Sequence, residues 1–228
     1  MKIYAAAAAA VAVVVAMAGL LTTRAAAIEP YAVAAPPSGV AHAGISELVT
    51  GPGYVLDVPQ VVGGDPAAAA FNAGMHAAAR FWIDQVDART TLAPGPGQIT
   101  SLGPRVLSGL LSVSVDTGGA IVVLRTSHVT DVRTGRTLTL ADLFTDLPRG
   151  LDALATRAAD LLPSRSGLPA SALEPAEHNY RVWLATPAGI QIHFGAPAED
   201  PAGDIVVTVP WYQLDAVLAP GMRAVVGG

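Results

Sequence analysis

The clearest period in the chain starts after Asp65. Phe71, Met75, Ala78, Trp82 and Val86 recur at helical spacings, while Asn72, His76, Arg80 and Asp84 lie on the flanks or the far side. Such a stripe predicts an amphipathic helix with one buried face. Asp65 is placed to cap it and Pro66 to occupy its first position, where a missing N–H costs nothing. The helix is expected to end near Ala88. Leu151, Leu154, Ala155, Ala158, Leu161 and Leu162 predict a second such helix, stopped by Pro163.

The rest of the pattern is that of strands and turns. Ser46 to Asp57 reads as one or two short strands broken at Gly51-Pro52-Gly53, followed by an extended Val58–Val62 in which Pro59 suits an edge. Residues 91–104 read as a loop holding a short strand at Gln98–Leu102. Leu107–Val115, Ala120–Thr130 and Thr137–Leu140 form an expected antiparallel meander, turned at Asp116-Thr117-Gly118-Gly119 and at Asp131–Gly135. Ala141–Phe144 is one helical turn. Tyr180–Ala185 and Gly189–Phe194 make a hairpin, Asp204–Val209 a last strand, and Pro210 opens a short helix turning Trp211, Leu214, Val217 and Leu218 inward. The order of strands, helix, strands, helix, strands is α+β rather than βαβ. It implies an antiparallel or mixed sheet with packed helices in two closely associated subdomains, 45–104 and 105–220. A flexible arm (28–44) precedes them and a tail (221–228) follows.

The first residues are of another kind. Lys2 is followed by an apolar run from Tyr4 to Leu21, then Arg24 and the small residues Ala25–Ala27. A charged start, an apolar centre and an Ala-x-Ala site read as a secretory signal peptide over 1–27, with a retained membrane anchor as the alternative. No later segment approaches spanning length. The expected location is extracellular, in the medium or at the cell envelope.

Composition narrows the function. The chain has 228 residues and no cysteine, which excludes disulfides, thiolate zinc sites and thiol nucleophiles. The formal net charge is -5, and removal of Lys2 and Arg24 with the signal segment lowers it by two more. An acidic chain with scattered arginines is a poor match for a nucleic-acid backbone.

Candidate chemistry is sparse. His42, His76, His128, His178 and His193 form no metal-ligand spacing, and the glycines at 118 and 119 lack the context of a phosphate loop. No cofactor is called for. Ser127, His128 and Asp131 invite comparison with a triad, but neighbours on a strand face opposite ways and there is no G-x-S-x-G elbow. Asp142 reads as a cap leading into Leu143-Phe144. Glu199, Asp200 and Asp204 form an acidic rim around the last loop. The interaction surface drawn from these residues comprises His128, Asp131, His193, Glu199, Asp200 and Asp204.

Several segments resemble a known family. Thr134-Gly135-Arg136-Thr137-Leu138-Thr139-Leu140-Ala141-Asp142-Leu143-Phe144 is similar to the TG-(K/R)-x-L-T-L-x-D-L-F block of a domain of unknown function. That domain occurs in the lysozyme-sensing extracellular part of anti-sigma-V factors and in secreted mycobacterial immunogenic proteins. Gly189–Phe194 resembles its G-l-x-i-x-F strand, and Val209–Leu214 its v-P-Y-x-x-L ending, with Trp211 in place of tyrosine. Val58-Pro59-Gln60 through Gly63 with Phe71-Asn72 resembles its y-P-x-l-x-G … i-N opening. The chain departs from the pattern where Ile121 follows Ala120 instead of histidine, and where Gly195–Gly203 carries no aromatic residue. The resemblance implies secretion, a two-part α+β fold and no agreed catalytic activity. Together with the signal segment and the missing catalytic constellation it points to a non-enzymatic protein that binds a basic lysozyme-like protein or an envelope component; a monomer is expected. The alternatives are a cell-wall-modifying hydrolase and a carrier of a small amphiphile.

The processing is directly testable: N-terminal sequencing of the exported protein is expected to start near Ile28. Recovery of intact Met1–Leu21 in membranes is the contrary result.

Overall fold

The computed structural model describes residues 42–87, 89–162, 167–195 and 204–227. Its larger sheet contains β1 (Ala43–Gly51), β2 (Tyr54–Val62), β3 (Thr91–Pro94), β4 (Gln98–Leu102), β5 (Val106–Asp116) and β6 (Ile121–Asp131). β1 and β2 form a hairpin over Pro52-Gly53. β5 and β6 pair antiparallel from Val106↔Asp131 to Asp116↔Ile121. β3 and β4 share the other edge of β5, one after the other. Among the described residues the only parallel contact is Tyr54↔Leu92, which joins β2 to β3.

That single contact explains two residues. Beyond Tyr54 no described strand pairs with the β3 side of β2, so Pro59 withholds no ladder hydrogen bond there. Further along, Asn72 fills the vacant place. Its side-chain oxygen accepts from the Val61 N–H at 2.8 Å and its amide donates to the Val61 carbonyl at 2.9 Å. One helical side chain thus supplies both halves of a missing rung.

Asn72 belongs to α1 (Pro66–Ile83), which covers one face of the sheet. Asp65 caps it, accepting from the N–H groups of Ala67 and Ala68 at 2.8 and 3.0 Å. Phe71 and Met75 are fully buried with Leu56, Val58, Leu107, Leu111 and Val113, and both lie directly against Gly109. Trp82 is half-buried and its indole donates to the Thr126 hydroxyl at 3.1 Å. The helix stops at Ile83, short of the expected Ala88, which lies outside the described residues. Tight bonds from Gln85 N–H to Trp82 and from Val86 N–H to Ile83 close it. Asp87 then turns the chain into β3 by accepting from the Arg89 N–H and the Thr90 hydroxyl. The strand Thr91–Pro94, read as loop in the sequence, begins after that turn and is held by its pairing with β5.

The opposite face carries the second layer. β7 (Trp183–Ala185), β8 (Gly189–Phe194) and β9 (Ile205–Pro210) form an antiparallel sheet. With α2 (Leu140–Leu143), α3 (Leu147–Leu161) and α4 (Met222–Val226) they enclose a second core around Leu143, Phe144, Leu154, Tyr180, Trp211 and Leu214. β7 rests on the large sheet with its free edge downward, and that edge is met by hydroxyls. Ser127 accepts from Trp183 N–H at 3.1 Å, Ser108 accepts from Ala185 N–H at 3.0 Å, and Thr100 donates to the Ala185 carbonyl at 3.2 Å.

Helices and strands in a six-stranded mixed sheet and a three-stranded sheet make the α+β class plain. The departures from the expected elements have identifiable causes. The third meander strand shrinks to a bridge, Thr130↔Thr137, because a capping box at Thr139 and Asp142 starts α2 at once. β7 is shorter than Tyr180–Ala185. Tyr180 instead plunges into the core, donates its hydroxyl to the Leu173 carbonyl at 2.9 Å, and is pushed up by burial to a pKa of about 12. The expected tail holds α4, whose Met222, Val225 and Val226 are buried. The arm gives way to strand at Ala43; residues 28–41 lie outside the described residues. The junction expected at 104–105 falls between β4 and β5, which are bonded neighbours in one sheet. No helix among the described residues is long and apolar enough to cross a membrane.

Phe144 closes the second core, buried to a few per cent exposure and bridged to Leu218. Phe144→Ala is expected to cost about 3–5 kcal/mol in a denaturant titration; a loss below about 1 kcal/mol marks the residue as surface.

Candidate functional site

The sequence-derived site residues separate into three places. His193 and Asp204 come together. The register of β8 and β9, with Phe194 opposite Ile205, brings Asp204 beside the His193 ring. His193 Nδ1 lies 2.6 Å from Asp204 Oδ2, and Arg125 of β6 reaches the same oxygen through Nε at 3.1 Å. The side chains of His193 and Arg125 are only 4% and 8% exposed. His193 Nε2 is taken by the Gln191 side-chain oxygen at 3.2 Å. With both ring nitrogens engaged, the pair has no free nitrogen to serve a nucleophile. It works as a clamp between the two sheets: one carboxylate oxygen compensates the guanidinium withdrawn from water and also takes the imidazole Nδ1. Arg125 was not singled out in the sequence; the only signal was an arginine inside the apolar strand Ile121–Thr130.

His128 stands elsewhere. Its ring packs edge-on against Phe71, with centroids 5.8 Å apart, and lies so close to Gly74 of α1 that a side chain there would collide with it. Nε2 is 3.5 Å from the Thr137 hydroxyl. Burial holds its pKa below the ordinary 6.5. Ser127 points to the other face of β6, where it meets β7, so these neighbours share no proton.

Asp131 offers no surface, correcting the expectation that it would. It is 0% exposed. Its carboxylate accepts from the Arg133 N–H at 2.8 Å, and its carbonyl accepts from the N–H of Gly135, which takes a φ of +65°. Glu199 and Asp200 lie outside the described residues.

The end of β6 opens into a cleft of about 230 Å³. It is lined by His128, Thr137, Thr139, Glu177, Arg181 and Trp183 among others. Glu177 and Arg181 are exposed, whereas Trp183 is buried in the floor. Thr139 is tied to Asp142 by its hydroxyl at 2.7 Å, and Asp142 also pairs with Arg136 at 2.9 Å, so this wall is braced from behind. Among the described residues, the cleft lining combines the exposed Arg181, the carboxylate of Glu177, hydroxyls and an aromatic floor. Such a lining suits contact with a polar polymer or protein loop better than enclosure of a small apolar molecule. Among the described residues no group of three or more His, Cys, Asp or Glu is placed to hold a metal ion.

No family model and no curated protein matches the chain. Solved structures do. A DUF3298 family protein from Bacteroides fragilis aligns over 82% of this chain and 97% of its own at a TM-score of 0.52 and 14% identity. A DUF3298 family protein from Pseudomonas aeruginosa aligns over 82% of this chain and 96% of its own, at 0.47 and 14%. At that identity the first likeness establishes a common fold, that of proteins named only as members of a family of unknown function.

The His128 environment gives a signed prediction. The unfolded chain takes up a proton near pH 6.5, while the folded ring resists it. Stability is therefore expected to fall as pH drops through 6.5 and to level off below the folded pKa. An NMR titration should give His128 a midpoint below 6.5, and His128→Gln should flatten that part of the stability profile.

Proposed function

We propose that this is an exported, non-enzymatic binding protein whose ligand contacts the cleft at the end of β6. The observation that carries the reading is the cleft itself, an open mixed lining with Arg181 and Glu177 exposed at its mouth. Two further features support it. Ser127 and Asp131 each spend their polar atoms on the fold, and His128 is clamped between Phe71 and Gly74. The face of the large sheet under α1 is filled by Phe71 and Met75, which leaves a carrier of amphiphiles little support.

The partner class follows from charge and from the segments that resemble the anti-sigma-V and mycobacterial secreted proteins. A net charge of -5, lower still after processing, attracts a basic extracellular protein at long range. Lysozyme is the first such protein to try, an envelope component the second. Steering by net charge without a buried aromatic anchor gives weak association.

Calorimetric titration with lysozyme is expected to show weak binding at about 0.02 M salt that disappears at about 0.5 M, where screening is strong. Arg181→Glu, which replaces the cleft's exposed cation by an anion, should strengthen the low-salt binding by about 0.5 kcal/mol, roughly two-fold. Submicromolar affinity persisting at high salt points to a specific lysozyme sensor or inhibitor. Heat unchanged by Arg181→Glu places the contact away from the cleft.

A further inference from the structure

Among the described residues, β1 is the outermost strand of the large sheet and its outer edge is unpaired. In the hairpin with β2, Gly51, Val49, Glu47 and Ile45 exchange hydrogen bonds inward, opposite Tyr54, Leu56, Val58 and Gln60. Gly44, Ser46, Leu48 and Thr50 therefore turn their N–H and C=O groups outward. Among the described residues none of these groups has a hydrogen-bond partner. The edge also carries only one of the usual guards, an inward-turned charge. The strand has no proline or lysine, and its pairing with β2 runs without a bulge. Its one charge, Glu47, is turned toward His76 of α1 at 3.2 Å. Elsewhere this chain covers open backbone with care, using Asn72 on β2 and three hydroxyls on β7. On β1, by contrast, Leu48 is 65% and Ile45 52% exposed.

We propose that β1 is the contact between two copies of this chain, which pair their β1 strands antiparallel about a two-fold axis at Leu48. The observation that selects a second copy is self-complementarity. An axis at Leu48 sets Leu48 against its equivalent, Ser46 against Thr50, Glu47 against Val49 and Ile45 against Gly51. All outward-facing groups of Ser46, Leu48 and Thr50 are then used in both copies. The exposed leucines meet on the face away from α1, and no two like charges stand directly opposite. The alternative edge, β6, lacks this property at its centre: an axis at Arg125 opposes two guanidinium groups. The pairing departs from the monomer expected from the sequence, and it is independent of the cleft. One strand pair buries less than a standard interface, so the dimer is weak and forms as concentration rises.

Sedimentation velocity of the purified protein from about 5 µM to about 500 µM tests it, a range that brackets the affinity of a weak dimer. The expected result is a sedimentation coefficient rising from monomer toward dimer. Leu48→Lys places two ammonium groups at the axis, and Ser46→Pro removes an outward N–H that β2 does not use. Both should stay monomeric throughout, with far-UV circular dichroism and melting unchanged because Leu48 and Ser46 are exposed. Hydrogen exchange gives a second readout: protection at Ser46, Leu48 and Thr50 should grow with protein concentration. A wild-type monomer over the whole range overturns the proposal. So does a dimer that survives both substitutions, which puts the contact elsewhere. Protection at those amides that is independent of concentration also overturns it, because the edge is then covered within one chain.

Discussion

The structure depends on seating the edge of one sheet on the face of another. Every peptide N–H and C=O withdrawn from water needs a partner, and a strand edge pressed onto a sheet face meets side chains instead of a neighbouring backbone. Three hydroxyls resolve the conflict. Ser108, Ser127 and Thr100 rise from the large sheet at the positions where Trp183 and Ala185 present their polar groups. β7 is thereby fixed, β8 and β9 are hung from it, and the second core closes over them with Phe144, Tyr180 and Trp211. The Asp204 clamp to Arg125 and His193 holds the same junction at its other end with charge.

This arrangement accounts for what the residues near His128 do. Ser127 looks reactive in the sequence because it stands beside a histidine. In the fold it is a substitute for backbone. His128 lies across the strand, against an aromatic ring and a glycine, where its bulk matters more than its proton. The cleft at the end of β6 exists because the chain turns from the Thr130–Thr137 bridge directly into a capped helical turn, leaving the rest of that edge uncovered.

Elements with local causes were legible in the sequence. The Asp65-Pro66 start of α1, the α3 stripe and the β5–β6 hairpin are each written in neighbouring residues, and each is found. Elements decided by distant partners were not. Thr91–Pro94 becomes a strand because β5 is long enough to receive it beside β4. Tyr180 leaves the expected strand because a carbonyl at Leu173 awaits its hydroxyl. For the site, His193 and Asp204 were both named but not as a pair, and Arg125 was missed, since only the β8–β9 register and the packing of two sheets join them. Asp131 shows the opposite error: a turn-bonding role was read correctly, yet the same turn removes it from any surface.

The rung that Asn72 completes on Val61 bears on uniqueness rather than on strength. Phe71 and Met75 hold α1 to the sheet through contacts that have little direction, and a helix so held can slide by a turn at small loss of buried area. The amide cannot slide, because its two hydrogen bonds are satisfied at one axial position only. A single polar side chain in an oily interface therefore indexes the helix against the strand. It selects one packing among several of similar apolar content, at the position where the sheet itself runs out of strands.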